Sequence, residues 1–132
     1  MKKLSIIAIF SLLVMAHINV NAADKGAPIR YLISIDYLAG EDGKQRYLKW
    51  VKDNVEVLTS FEEAKSITAY DNYYGVTPHR IVEFNFADMQ SAAKYWSYPA
   101  VYKILQDLPN HSSIAKIGAF IKRGEYVYAD KN

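Results

Sequence analysis

The sequence predicts an α+β fold in which one four-stranded antiparallel sheet carries two helices on one of its faces. Three observations predict it. From residue 30 onward the apolar pattern alternates between period two and a helical period, in the order β-α-β-β-α-β. Turn residues punctuate the changes: Gly40 with Gly43, Gly75 with Pro78, and the run Asn110 to Ser113. The second helix has its own signals, a capping aspartate at Asp88 and an interruption at Tyr98-Pro99.

The elements follow in order. RYLISIDYL, Arg30 to Leu38, is rich in β-formers and reads as the first strand. From Lys44 to Leu58 the period is helical, with Tyr47, Val51, Val55 and Leu58 on one face. Ser60-Phe61-Glu62-Glu63 has capping-box spacing and predicts a short extra helical turn. Lys65 to Gly75 is the second strand and His79 to Phe86 the third. Asp88 starts a helix with Met89, Ala92, Ala93 and Trp96 at helical spacing. Pro99 lacks an amide hydrogen but suits the first position of a new helix, so Val101, Ile104 and Leu105 resume the apolar stripe. Ile114 to Gly124 is the fourth strand, and Glu125 to Asn132 is a tail.

This order is that of the ferredoxin-like plait, with the strands arranged 4-1-3-2 and one sheet face left bare. The stretch Phe84, Phe86, Asp88, Ala92, Trp96 and Pro99 adds a family-level signal. A hydrophobic strand ending in phenylalanine, then a helix of the D/S-x-x-x-A-x-x-[WY] kind, then a small-residue-proline break and a second short helix resembles the dimeric α+β barrel superfamily. That group includes antibiotic-biosynthesis monooxygenase-like, EthD-like and NIPSNAP-like domains. The resemblance covers roughly residues 30 to 123. It implies two plaits that pack their bare faces into a barrel, and it implies no particular reaction.

The first 22 residues stand apart. Met1-Lys2-Lys3 is a positive start, Leu4 to Ala16 is apolar, and Val20-Asn21-Ala22 suits a cleavage site. The apolar run falls short of the roughly 18–20 residues a spanning helix needs. The expectation is therefore a signal peptide over 1–22, cleaved after Ala22, and a periplasmic or secreted protein without stable membrane insertion. Residues 23–29 form a short leader to a domain over 30–124, with a tail over 125–132. Removing Lys2 and Lys3 from the 16 basic residues leaves the mature chain balanced against its 14 acidic ones. A nucleic-acid partner, which calls for a basic patch, is not expected. The chain has no cysteine, so burial alone must stabilise it.

Strand alternation sorts the side chains. Tyr31, Ile33, Ile35, Val82, Phe84, Phe86, Ile67 and Ala69 are expected to meet the helices. The bare face then carries Ser34, Asp36, Thr68, Tyr70, His79, Glu83 and Asn85. A buried carboxylate on a central strand is costly unless hydrogen-bonded or useful. Glu83, Asp36 and His79 are thus the candidate catalytic groups, the carboxylates as proton acceptors and the imidazole as a shuttle. Tyr70, Ser34 and Asn85, with Trp96 from the second helix, are the candidate ligand contacts. The competing reading pairs Asp36 and Glu83 with Arg30, Arg80 or Lys116 on a wet face or at a dimer seam.

No metal site is expected: the mature chain has two histidines, His79 and His111, and no H-x-x-x-H spacing. No G-x-S-x-G elbow and no glycine-rich phosphate loop occur. Some barrel relatives bind haem through a histidine on or near the second helix. Asp88 to Asp107 contains none, so no cofactor is expected. Two functional readings stay open. One is an exported, homodimeric barrel binding an aromatic or quinone-like compound, as a cofactor-independent monooxygenase-like enzyme. The other is a non-catalytic interaction or stress-response module.

Overall fold

A computed structural model describes residues 24, 26–127 and 129. The signal segment expected over 1–22 and the last tail residues lie outside the described residues. The strands are β1, Ile29–Asp36; β2, Ala64–Asp71; β3, Arg80–Phe86; and β4, Ile114–Ile121. The helices are α1, Gly43–Leu58; α2, Met89–Ser97; and α3, Pro99–Asp107, followed by a 3-10 turn at Leu108–Asn110. The sheet is antiparallel throughout, in the order β2-β3-β1-β4. This is the ferredoxin-like plait and the strand order expected from the sequence.

The break at Tyr98-Pro99 separates α2 from α3. Asp88 has an extended backbone, and its side chain accepts the Ser91 amide at 2.7 Å, which starts α2. Tyr98 is again extended, and Pro99 opens α3 where its missing N–H costs nothing. The Ser60 to Glu63 segment differs from its expectation. No helix forms there among the described residues; Phe61 leads into β2 through a turn. Ser60 instead donates back to the Val57 carbonyl at 2.7 Å, closing the end of α1.

The core lies between the sheet and the helices. Alternate residues of β1, namely Ile29, Tyr31, Ile33 and Ile35, are buried, as are Phe84 and Phe86 of β3. Tyr47, Ala92, Tyr95, Trp96 and Val101 cover them from the helices. Tyr31, Phe84, Phe86, Tyr95 and Trp96 form one aromatic cluster with ring centroids 5.0–6.0 Å apart. Full burial of each such side chain contributes about 1.5–3 kcal/mol. The hydroxyl of Tyr95 remains satisfied by donating to the Leu58 carbonyl at 2.8 Å.

The other sheet face carries no helix among the described residues. Register sets its rows: Asn85, Arg30 and Phe120 lie across the strands, then Glu83, Leu32 and Gly118, then Ile81, Ser34 and Lys116. Tyr70, Ile114 and Phe120 are each about half exposed. The Phe120 ring lies over Gly118, where a Cβ would stand 2.6 Å from the ring. Only glycine leaves that ring room to lie flat on the sheet.

Candidate ligand cavity

The helix side of the sheet is incompletely filled. A cavity of about 200 Å³ remains between the sheet and all three helices. Its floor includes Ile33 and Ile35 of β1 and Val82 and Phe84 of β3; Tyr47, Val51, Trp96 and Ile104 lie against it from the helices. Val55 and Thr59, both exposed, bring it to the surface beside the end of α1. A cavity of about 150 Å³ holds benzene. This one therefore suits a ligand of about one aromatic ring, below the usual range for drug-sized ligands.

Among the described lining residues Arg80 is the one charged side chain. It is 14% exposed, and its Nε donates to the Asp71 carboxylate at 2.7 Å. The two residues are direct partners across β2 and β3. The guanidinium lies over the Tyr47 ring, 5.8 Å from its centre. The hydrogen bond from Arg80 holds the Asp71 carboxyl below its usual pKa, and the same bond raises that of Arg80. Burial pushes the Tyr47 phenol up to about 12, so it is a neutral group at ordinary pH. Trp96 also lines the cavity, and its indole N–H is buried with no hydrogen-bond partner among the described residues. An unpaired buried donor costs about 1–3 kcal/mol unless something else accepts from it.

The residues singled out from the sequence occupy three places. Trp96 is at the cavity, 6% exposed. Ser34, Asp36, Tyr70, Glu83 and Asn85 stand on the open face. Glu83 lies 3.8 Å from Arg30 and accepts from Asn85, whose amide also donates to Ser66. The partner is thus Arg30, one of those expected, while Arg80 pairs with Asp71 on the opposite face. Asp36 lies four residues along β1 from Leu32, the register partner of Glu83. That is roughly 13 Å along the strand, so the two carboxylates do not converge. His79 is at the strand end. Its Nδ1 accepts the Tyr37 amide at 3.0 Å, and its ring stacks on Tyr37 at 4.9 Å. One of its two nitrogens is therefore occupied in holding the backbone.

Sequence reasoning passed over Glu63. It is 7% exposed, paired with Lys94 and hydrogen-bonded by the Tyr98 hydroxyl at 2.8 Å. Lys94 above all, then Tyr98, holds its pKa down at about 2. The cluster fastens the α2–α3 break to the start of β2. It had a signal, a carboxylate directly before a strand with an aromatic two residues earlier, but capping-box spacing suggested a different use.

Fold and site together define a ferredoxin-like α+β plait with an apolar cavity between its sheet and its helices. Several solved structures share this fold. A DABB-family protein with a ferredoxin-like fold from Mesorhizobium loti aligns with a TM-score of 0.64 at 12% identity, covering 74% of this chain and 99% of that one. SnoaB, a cofactor-independent oxygenase from Streptomyces nogalater, aligns with a TM-score of 0.62 at 8% identity, over 75% and 96%. A hydroxynitrile lyase from Passiflora edulis aligns with a TM-score of 0.63 at 8% identity, over 77% and 99%. A putative antibiotic biosynthesis monooxygenase is also among these neighbours. The last of these carries the name of one of the groups that the Phe84–Pro99 stretch resembles, and all of them share the ferredoxin-like fold expected from the sequence. No protein-family model matches the sequence, and no curated protein does.

Proposed function

We propose that this protein is an exported homodimer that binds a small aromatic molecule between its sheet and its helices. The carrying observation is the 200 Å³ cavity, largely apolar, with Arg80 the one charged side chain among its described lining residues and the Trp96 N–H unpaired beside it. Its described lining residues include no carboxylate and no histidine, so binding is the reading rather than a named turnover. The aromatic ligand class rests on the size of the cavity and its largely apolar walls.

Phenol, indole and toluene should each raise the melting temperature saturably. A ligand at about 100 times its Kd stabilises by about 2.7 kcal/mol, or roughly 10–20 °C for a domain of this size. Ala69→Leu, which adds bulk to the cavity floor, should keep the fold and abolish the shift. No shift with any of the three compounds would end the cavity reading.

The open face supports the dimer. Phe120, Ile114 and Tyr70 present apolar surface there, around polar groups that already pair within the face. A two-fold pairing would cover it with the same residues from both copies. Protein purified from the periplasm or medium should begin at Ala23 and sediment at twice the mass of one chain. Phe120→Asp should bring it to one chain with the helical signal intact. A wild-type species at single-chain mass at micromolar concentration would rule out the barrel.

A further inference from the structure

We infer that the ligand of this cavity is an aromatic carboxylate of about benzoate size, its ring in the apolar space and its charge on Arg80. This rests on the cavity reading above and narrows it. A guanidinium is an expensive group to place in an apolar wall, and it is tolerated where its charge and donors are used. Asp71 uses one edge of it. The bond runs from Nε alone; the terminal nitrogens have no carboxylate partner among the described residues, and the Tyr37 hydroxyl is a neutral neighbour of both Arg80 and Asp71 that a carboxylate can displace. Those two nitrogens form the fork that matches a carboxylate with two parallel hydrogen bonds.

Position and size agree with this. Arg80 is held over Tyr47, and both side chains belong to the cavity wall. The apolar surroundings strengthen a charged hydrogen bond made there. Asp71, the competing carboxylate, is half exposed, whereas Arg80 is largely buried. Asp71 can therefore remain hydrated while a second anion takes the inner edge. Lys44 also acts on Asp71 through space, which adds positive charge on that side. A volume of 200 Å³ admits one ring with a small substituent, or a compact two-ring system, and excludes a larger fused polycycle.

Calorimetric titration of the mature protein with benzoate, benzamide and toluene tests the inference. Benzoate should bind about ten-fold tighter than benzamide, the difference between a charge-assisted and a neutral hydrogen bond. Arg80→Met should remove that preference and keep toluene binding. Asp71→Asn, which keeps an oxygen to accept from the Arg80 Nε at a half-exposed position, should tighten benzoate about three-fold or more and leave toluene unchanged. This second variant decides the matter if Arg80→Met does not fold. Benzamide binding as well as benzoate, or Asp71→Asn leaving benzoate unaffected, overturns the inference while the cavity reading stands. Failure of all three compounds to bind overturns both.

Discussion

Gly43→Ala should destabilise the domain by about 3 kcal/mol or more, at the upper end of what overpacking costs. The reason is steric and not a matter of backbone freedom. Gly43 is the buried first residue of α1, and a Cβ there would stand 1.9 Å from the carbonyl oxygen of Leu38. The obstacle is backbone, so no side chain can swing aside. Relief requires moving either the end of β1 or the whole helix, and α1 carries Tyr47 into the core. The melting temperature should fall by roughly 12 °C or more. Urea titration of the two proteins measures the difference directly. A loss below about 1 kcal/mol would mean that the β1–α1 junction yields easily.

Trp96→Ala should cost about 3–5 kcal/mol. Trp96 packs at 5.0 Å from both Phe84 and Tyr95, measured between ring centres, and at 5.5 Å from Tyr31. Its removal joins the new space to a cavity already present, so the walls have little to collapse onto. Trp96→Phe should cost less than half as much, because it keeps much of the ring and removes the N–H that has no partner. Added indole should recover part of the loss in the alanine variant and little in the phenylalanine variant. Equal losses for the two variants in thermal unfolding would contradict this account.

The fold was legible because each local signal agreed with the others. Alternation in β1 placed Tyr31, Ile33 and Ile35 toward the helices, and they are buried there. Asp88 and Pro99 marked the two helix starts that form. The ends of β2 were less clear. A bulge between Ala64 and Ser66 shifts its register, and the chain leaves the sheet after Asp71, where Asn72 turns it through Gly75 at φ +66°. The open-face polar residues were visible as a set, but pattern alone could not tell that register spreads Asp36 and Glu83 apart. The cavity was not legible, because its walls are ordinary core residues and the void is a small shortfall in their summed volume. One signal for it existed. Arg80 shares the parity of Val82, Phe84 and Phe86, a charge on the apolar side of a central strand.

The ion pair beyond the start of β1 and the end of β4 has a separate consequence. Asp24 receives both terminal nitrogens of Arg123, at 2.8 and 2.9 Å, just beyond the paired residues Ile29 and Ile121. Two segments nearly a hundred positions apart in the chain are thus neighbours at one end of the strands. A short glycine-serine bridge could join them without disturbing a strand. The chain could then be reopened at residues 73–76, where Tyr73 and Tyr74 are among the most exposed aromatics. A circularly permuted form of this kind would hold the same sheet and the same cavity. Its fusion points would lie at the opposite end of the strands, leaving the end near Asp24 and Arg123 free of any attached partner.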